Sequence, residues 1–480
     1  MKIGLMVDNA IYFTDGSKTT FSCPADLLAY IMGAGKLTVY LTDFSAFNPF
    51  MAHIVAHLPR NEHHASLSWD AIISTKGRFF SFEVTIDRDN RTKFYELSNL
   101  LRDGYRADTG DSIPHILEIL RIYEQADLCR ITAGSASMKA YHEGDIRDYQ
   151  RHFPHLTEEQ DRALRPAYLG GYMTAREGHW GECIDIDCNS MYPSILRDEW
   201  LPFGEPEHYD GAYQQDDDMP LHVDKIIFRA DLKPDGYAFL NDGRMRYGRD
   251  AARLTTTDGY ITRTLTDIDQ KLLMENYDVT VYKHVEGWKF RRSKGFFFGF
   301  VSQYGNMKMS NTGDRRQFAK LIMNALVGKM ASMPRDGILL PKSDDGRMLD
   351  WIPAKKQASN LNTTYLPVPI WVNAYARRRL LHVCRANADR LVYANTDGCA
   401  LLGWDAPQGC KIDPVELGKW KISAKYEKMT ILAINRYQGW KPDGTVDICM
   451  AGNLFSTPIP YSQYHHGVEV VDDYGTHVML

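Results

Sequence analysis

Three short stretches carry side chains whose types and spacing could do chemistry. In CIDIDCNSMYP (183–193), Asp185 and Asp187 alternate with apolar residues, so in a strand they share one face. The run then exits sharply into a helical pattern, with Asn189 or Ser190 placed to cap it, Pro193 suited to its first turn and Tyr192 just past the cap. In GDRRQFAKLIMNALVGKMAS (313–332), Arg316, Lys320, Asn324 and Gly328 recur every four residues, which puts them on one stripe of an amphipathic helix. That stripe has two cations, an amide and a glycine but no acid, a set able to grip phosphates and admit a base or sugar at the glycine. In YANTDGCALLG (393–403), Asp397 lies in an Asp-Gly turn between two apolar runs, a strong hairpin signal. Alone, Asp397 reads as a turn residue; with the other two stretches it reads as a carboxylate mounted at a hairpin tip. Phosphoryl transfer at two Mg²⁺ ions needs these parts: carboxylates for the metals, and cations for a triphosphate. Mg²⁺ accepts one or two carboxylates plus phosphates and water, and the backbone carbonyl of Cys188 could add an oxygen.

The elements that would position these groups follow from the surrounding pattern. The 480-residue chain is long enough for two to four domains. Residues 1–125 alternate strand-like runs (KLTVYL, 36–41; RFFSFEVTI, 78–86) with helical ones (PHILEILRIYEQ, 114–125), as a small α/β unit does. Residues 183–196 form a strand running into a helix, 200–295 are turn-rich and strand-rich, and 333–366 have hairpin-like spacing. A helix over 373–388 leads into the hairpin of Asp397. Net charge is −5; basic runs at 289–294 (KFRRSK), 376–379 (ARRR) and 411–436 are each expected to be solvated faces when taken singly. Eight scattered cysteines without a CxxC pair indicate neither a disulfide framework nor a zinc site. The N-terminus lacks a signal-peptide pattern and no apolar run is long enough to span a bilayer, so a cytoplasmic protein with no membrane partner is expected.

These stretches resemble the motifs of family B DNA polymerases. DCNSMYPSI is similar to motif A (DxxSLYPS), KLIMNALVGK (320–329) to motif B (KLxxNSxYG) and YANTDG to motif C (YxDTDS). The resemblance extends to the protein-primed phage branch through ITAGSASMK (131–139), YLGGY (168–172), LPFGEP (201–206), LGKW (417–420) and VVDD (470–473). It implies a multidomain α/β and α+β right hand of palm, fingers and thumb behind an exonuclease-like (RNase H-like) domain. The implied segments are 1–125 (degenerate exonuclease-like), 126–198 (first palm segment) and 199–295 (insertion 1, terminal-protein region). They continue as 296–332 (fingers), 333–366 (insertion 2, processivity hairpin), 367–440 (second palm segment) and 441–480 (short thumb). In this reading Asp187, Asp397 and the Cys188 carbonyl hold two Mg²⁺ ions, for which Mn²⁺ can substitute, and Lys320 protonates the leaving pyrophosphate. Tyr192, Lys308, Arg316, Lys320 and Asn324 bind the dNTP, with Tyr192 as the steric gate against ribose. Tyr168, Gly170, Gly171, Ser190, Gly328, Asn395 and Tyr437 line template and primer. The implied partners are DNA, dNTPs and a terminal-protein primer, met by a monomer in the host cytoplasm.

The departures are as informative. Asn395 replaces the first Asp of motif C, Gly398 its Ser, Val327 the Tyr of motif B, Asn435 the Lys of the primer-side KxY, and Leu169 the basic residue of YxGG. They leave a second reading open: a pseudo-polymerase that binds nucleic acid or terminal protein without turnover. In the N-terminal segment the usual acidic first strand is missing, Phe47 stands near the second exonuclease motif, and Asp111 is the one remnant of the third. One carboxylate cannot build a two-metal site, so loss of proofreading is expected.

Overall fold

The computed structural model describes the whole chain except residues 62–65, 102–111, 144, 241–252, 334–336, 356–363, 452–454, 456 and 474. It divides into two units, Met1–Gln150 with Ser302–Thr364, and Arg151–Val301 with Tyr365–Leu480. Among the described residues no helix is long and apolar enough to cross a membrane.

The first unit is built on a nine-stranded sheet. Its interior strand Lys36–Leu41, KLTVYL, is buried along all but its first residue; it runs parallel to both Lys2–Val7 and Arg91–Glu96. A near-continuous apolar run is what a doubly covered parallel strand requires. The helix Phe44–His57 packs on this sheet, started by Asp43, whose carboxylate accepts from the Ser45 amide at 2.7 Å. Two strands come from far along the chain: Gly337–Lys342 pairs with Asp350–Lys355 as a hairpin, and Ile338 and Leu339 pair with Ser74 and Ile73. The segment expected to be a processivity-hairpin-like insertion thus pairs with a strand of the N-terminal sheet. The helix Gly313–Met330 buries Phe318, Ile322, Met323, Leu326 and Met330. Each such side chain contributes about 1.5–3 kcal/mol of apolar burial. Tyr123 meets Phe318 edge-on at 4.7 Å, and the Ser137 hydroxyl donates to the Ile322 carbonyl from the helix Ala133–His142, which contains ITAGSASMK residues.

The second unit holds a five-stranded sheet in the order Trp420–Tyr426, Cys183–Cys188, Gly398–Leu402, Leu391–Asn395, Met173–Ala175. The helix Met191–Asp198 follows the Cys183–Cys188 strand directly, and the helix Pro367–Ala386 precedes the hairpin. The latter starts six residues earlier than its sequence pattern indicates, because Pro367 and Pro369 fall in its first turn, where a missing N–H costs nothing. Residues Leu201–Asp210, Tyr277–Ser293, Leu221–Leu232 and Ile261–Thr266 make a separate four-stranded sheet within the expected first insertion. A further sheet, Val446–Met450, Arg436–Trp440, Lys428–Ala433 and Gly178–Trp180, adjoins a small C-terminal core of Leu432, Met450, Ile459, Tyr464, Val478 and Leu480.

Candidate active site

Motifs A and C meet at one end of the five-stranded sheet. Asp187 pairs in register with Gly398, and the Cys188 amide donates to the Asp397 carbonyl at 2.8 Å. Asp187, on its strand, and Asp397, in the turn that leads into the neighbouring antiparallel strand, are therefore brought together although 210 positions separate them (397 minus 187). The pairing is close because residue 398 is glycine: a Cβ there would stand 2.8 Å from the Ile186 carbonyl oxygen. Opposite, Asp187 pairs with Lys421, whose ammonium lies 2.9 Å from its Oδ2. Asp185, on the same face, is pushed up to about 7 by burial and by the charges of Asp187, Asp447 and Asp397. The site thus gathers several carboxylates, and a lysine cation already sits on one of them. Hard carboxylate oxygens suit a divalent ion such as Mg²⁺, which would compete with that ammonium for Asp187. Among the described residues no three His, Cys, Asp or Glu side chains converge to hold a metal alone, so any ion here would need backbone, substrate or water oxygens besides Asp187 and Asp397.

The turns around the two aspartates are backbone-strained. Ser190, Thr396 and Asn435 have φ of 52°, 59° and 59°; for a β-branched Thr this region costs about 1–3 kcal/mol unless its surroundings enforce it. The YLGGY loop does so: the Thr396 amide donates to the Tyr172 carbonyl at 2.8 Å, and a Cβ on Gly171 would lie 2.9 Å from Thr396 Oγ1. The loop is itself pinned by Arg377, whose guanidinium donates to the Leu169 and Gly170 carbonyls, both at 2.8 Å, and forks onto Asp269. Arg377 and Asp269 are fully buried, so the pair must satisfy one another. Asn373 donates to Leu169 as well.

Sequence-expected residues divide between the two units. Asp187, Cys188, Ser190, Tyr192, Asp397, Asn395, Tyr168, Gly170, Gly171 and Tyr437 lie in the second. The Tyr192 hydroxyl is pushed up to about 12 by burial, with the Asp397 charge adding to the shift, which puts Tyr192 within electrostatic reach of that carboxylate. Tyr437 packs its ring 5.1 Å from Tyr393. Lys308, Arg316, Lys320, Asn324 and Gly328 lie in the first unit. Arg316, Lys320, Asn324 and Gly328 are all exposed, as the stripe predicts, and a Cβ on Gly328 would meet no described atom within 4 Å. Arg316 donates to the Lys308 carbonyl at 2.7 Å, joining its helix to Phe298–Ser310. Asp111 lies outside the described residues.

Several expectations need correction. Ser190 precedes the helix but makes no side-chain cap; Asn189 turns away and donates to the Val415 carbonyl at 2.8 Å. The ARRR run is not a solvated face, since Arg377 is buried and Arg379 donates to Ser194 and Glu199. In KFRRSK, Lys289 binds Asp216 at 2.6 Å, while Arg292 and Lys294 stack on Trp200. Sequence reasoning missed Lys421 and Asp269. The i, i+2 pattern of WKISAKY around Lys421 was the available signal for the first; nothing local marked the second.

One antiparallel sheet thus presents two carboxylates, at a strand end and at the neighbouring hairpin turn. Residues 118–403 match the model of the family described as DNA polymerase type B, organellar and viral, and the chain belongs to that family. It is 30% identical over 337 residues to the DNA polymerase of Bacillus phage phi29, a match covering 68% of this chain and 58% of that one. With the DNA polymerase of Streptococcus phage Cp-1 it shares 26% over 364 residues, 70% of this chain and 61% of the relative. The chain thus matches about three fifths of the length of these curated relatives. Its fold superposes on phi29 DNA polymerase complexed with primer-template DNA and incoming nucleotide substrates, with a TM-score of 0.84 and 22% identity over 100% of this chain and 98% of that one. That likeness establishes a family B polymerase fold.

Proposed function

We propose that this protein is a DNA-templated DNA polymerase that adds deoxynucleotides to a primer 3′-hydroxyl, protein-primed and lacking proofreading. The observation that carries the proposal is the juxtaposition of Asp187 and Asp397 through the Cys188–Asp397 hydrogen bond, in a chain of this family. In the reaction the 3′-hydroxyl gives up its proton to solvent and its oxygen bonds to the α-phosphorus of the dNTP, the bond from that phosphorus to the oxygen bridging to the β-phosphate breaks, and pyrophosphate leaves. Two Mg²⁺ ions, when bound, would supply Lewis-acid stabilisation of the attacking and leaving oxygens. Asp187, Asp397 and the Cys188 carbonyl would hold those ions, and Tyr192 would close the space beneath the sugar. Arg316, Lys320 and Lys308 would bind the triphosphate, Lys320 also giving a proton to the pyrophosphate, while Asn324 would bind the nucleotide. Tyr168, Gly170, Gly171, Ser190, Gly328 and Tyr437 would hold template and primer.

The N-terminal unit supports the loss of proofreading. Its first strand, KIGLMV, carries no acid, and Phe47 is fully buried in an aromatic cluster with Phe94 and Phe82. Asp43, the neighbouring acid, is occupied as a helix cap. Extension of a labelled primer on a template, with Mg²⁺ or Mn²⁺, tests the proposal, and transfer of a deoxynucleotide to a candidate terminal protein tests its priming mode. If DNA binds but neither wild type nor Asp397→Ala extends it, the pseudo-polymerase reading replaces this one.

A further inference from the structure

We propose that Asn395 and Asn435 form a side-chain clamp that fixes the Asp397 turn, acting as positioning residues and not as a metal ligand or a primer contact. The proposal rests on the polymerase reading above. Asn395 Nδ2 donates to Asn435 Oδ1 at 2.7 Å and lies 3.3 Å from the Tyr393 hydroxyl, while Asn395 Oδ1 accepts from the Thr396 hydroxyl at 2.8 Å. The Tyr393 hydroxyl in turn accepts from the Asn435 amide at 3.2 Å and stands 3.4 Å from Asn435 Oδ1. The three side chains close a ring in which both hydrogens of the Asn395 amide are used.

What the ring joins gives it a task. Asn395 ends the strand Leu391–Asn395 and Asn435 sits in the turn between Lys428–Ala433 and Arg436–Trp440, so the clamp ties the tip of one sheet to the tip of another. Both tips hold a non-glycine residue in the left-handed region, Thr396 and Asn435. Such turns persist only where neighbours enforce them, and the Asn395 carbonyl holds the Thr396 side chain immediately before Asp397. The two sequence positions that depart from motif C and from the primer-side motif are each other's partner, so the amide of one answers the amide of the other.

Single-nucleotide incorporation by wild type, Asn395→Ala, Asn435→Ala, the double variant and Asn435→Asp tests the clamp, with Asp397→Ala as reference. Each single alanine variant is expected to lower kcat roughly 10-fold with dNTP KM within about twofold, the double falling no further than the worse single. Asn435→Asp keeps an acceptor for Asn395 Nδ2 and is expected to restore kcat to within about threefold of wild type. Multiplying single effects, a fall in Asn435→Asp as deep as in Asn435→Ala, or a change confined to primer or dNTP KM would overturn the clamp. If wild type incorporates nothing, the polymerase reading fails instead. The clamp is then read from hydrogen exchange of the Asn395 side-chain amide. Slow exchange lost in a folded Asn435→Ala protein supports it, and unchanged exchange overturns it.

Discussion

The Lys421 ammonium on Asp187 has the most direct consequence at the residue scale. A cation at 2.9 Å competes with a metal for the carboxylate. Lys421→Met is therefore expected to lower the Mg²⁺ concentration for half-maximal extension by roughly threefold; a raised Mg²⁺ requirement would assign Lys421 to substrate. Tyr192→Ala is expected to admit ribonucleotides, checked by ratios of kcat/KM for rNTP over dNTP, and an unchanged ratio would remove Tyr192 from sugar selection. The strand position of Asp187 and the turn position of Asp397 were legible in the sequence because period-two alternation and an Asp-Gly turn are local signals. Lys421 was not, since its role arises from a strand pairing across 234 positions (421 minus 187). The Asn395–Asn435 pairing was hidden likewise: each residue reads locally as a good turn residue, and only the packed hairpin tips bring the amides together.

At the scale of elements, the Asp397 hairpin is held from below by a loop and a buried ion pair. Gly171→Ala would drive a Cβ into Thr396, and the turn must shift. Nucleotide incorporation is expected to fall at least about 10-fold while the protein stays folded; wild-type rates in Gly171→Ala would show that the loop does not position the turn. Arg377→Met leaves Asp269 buried and unpaired and is expected to destabilise the second unit by about 3–5 kcal/mol, measured by denaturant unfolding. The strand–helix unit of motif A and the stripe on the Gly313–Met330 helix followed directly from periodicity. The ARRR run misled because a helix turns about 100° per residue: Arg377 faces the core beside Leu380 and Leu381 while Arg379 faces Ser194. A charge run in sequence is not a charge patch in space.

At the scale of the whole molecule, the N-terminal sheet has an apolar core, and its first strand carries no acid. Purified protein is expected to leave a mismatched primer intact; EDTA-sensitive trimming would contradict the loss of proofreading. The α/β character of residues 1–125 was readable from alternating runs, whereas its two last strands were not, because they arrive from 337–355 and pair through backbone atoms at Ile338 and Leu339. The central claim is that Asp187 and Asp397 together catalyse templated nucleotide addition. Its most direct test is single-turnover incorporation of each of the four dNTPs opposite a defined template base, by wild type, Asp187→Asn and Asp397→Asn. The expected result is that wild type adds the complementary nucleotide and both variants lose roughly 10³-fold or more in rate while still binding primer-template. Addition independent of the template base, or wild-type rates in either variant, would contradict it.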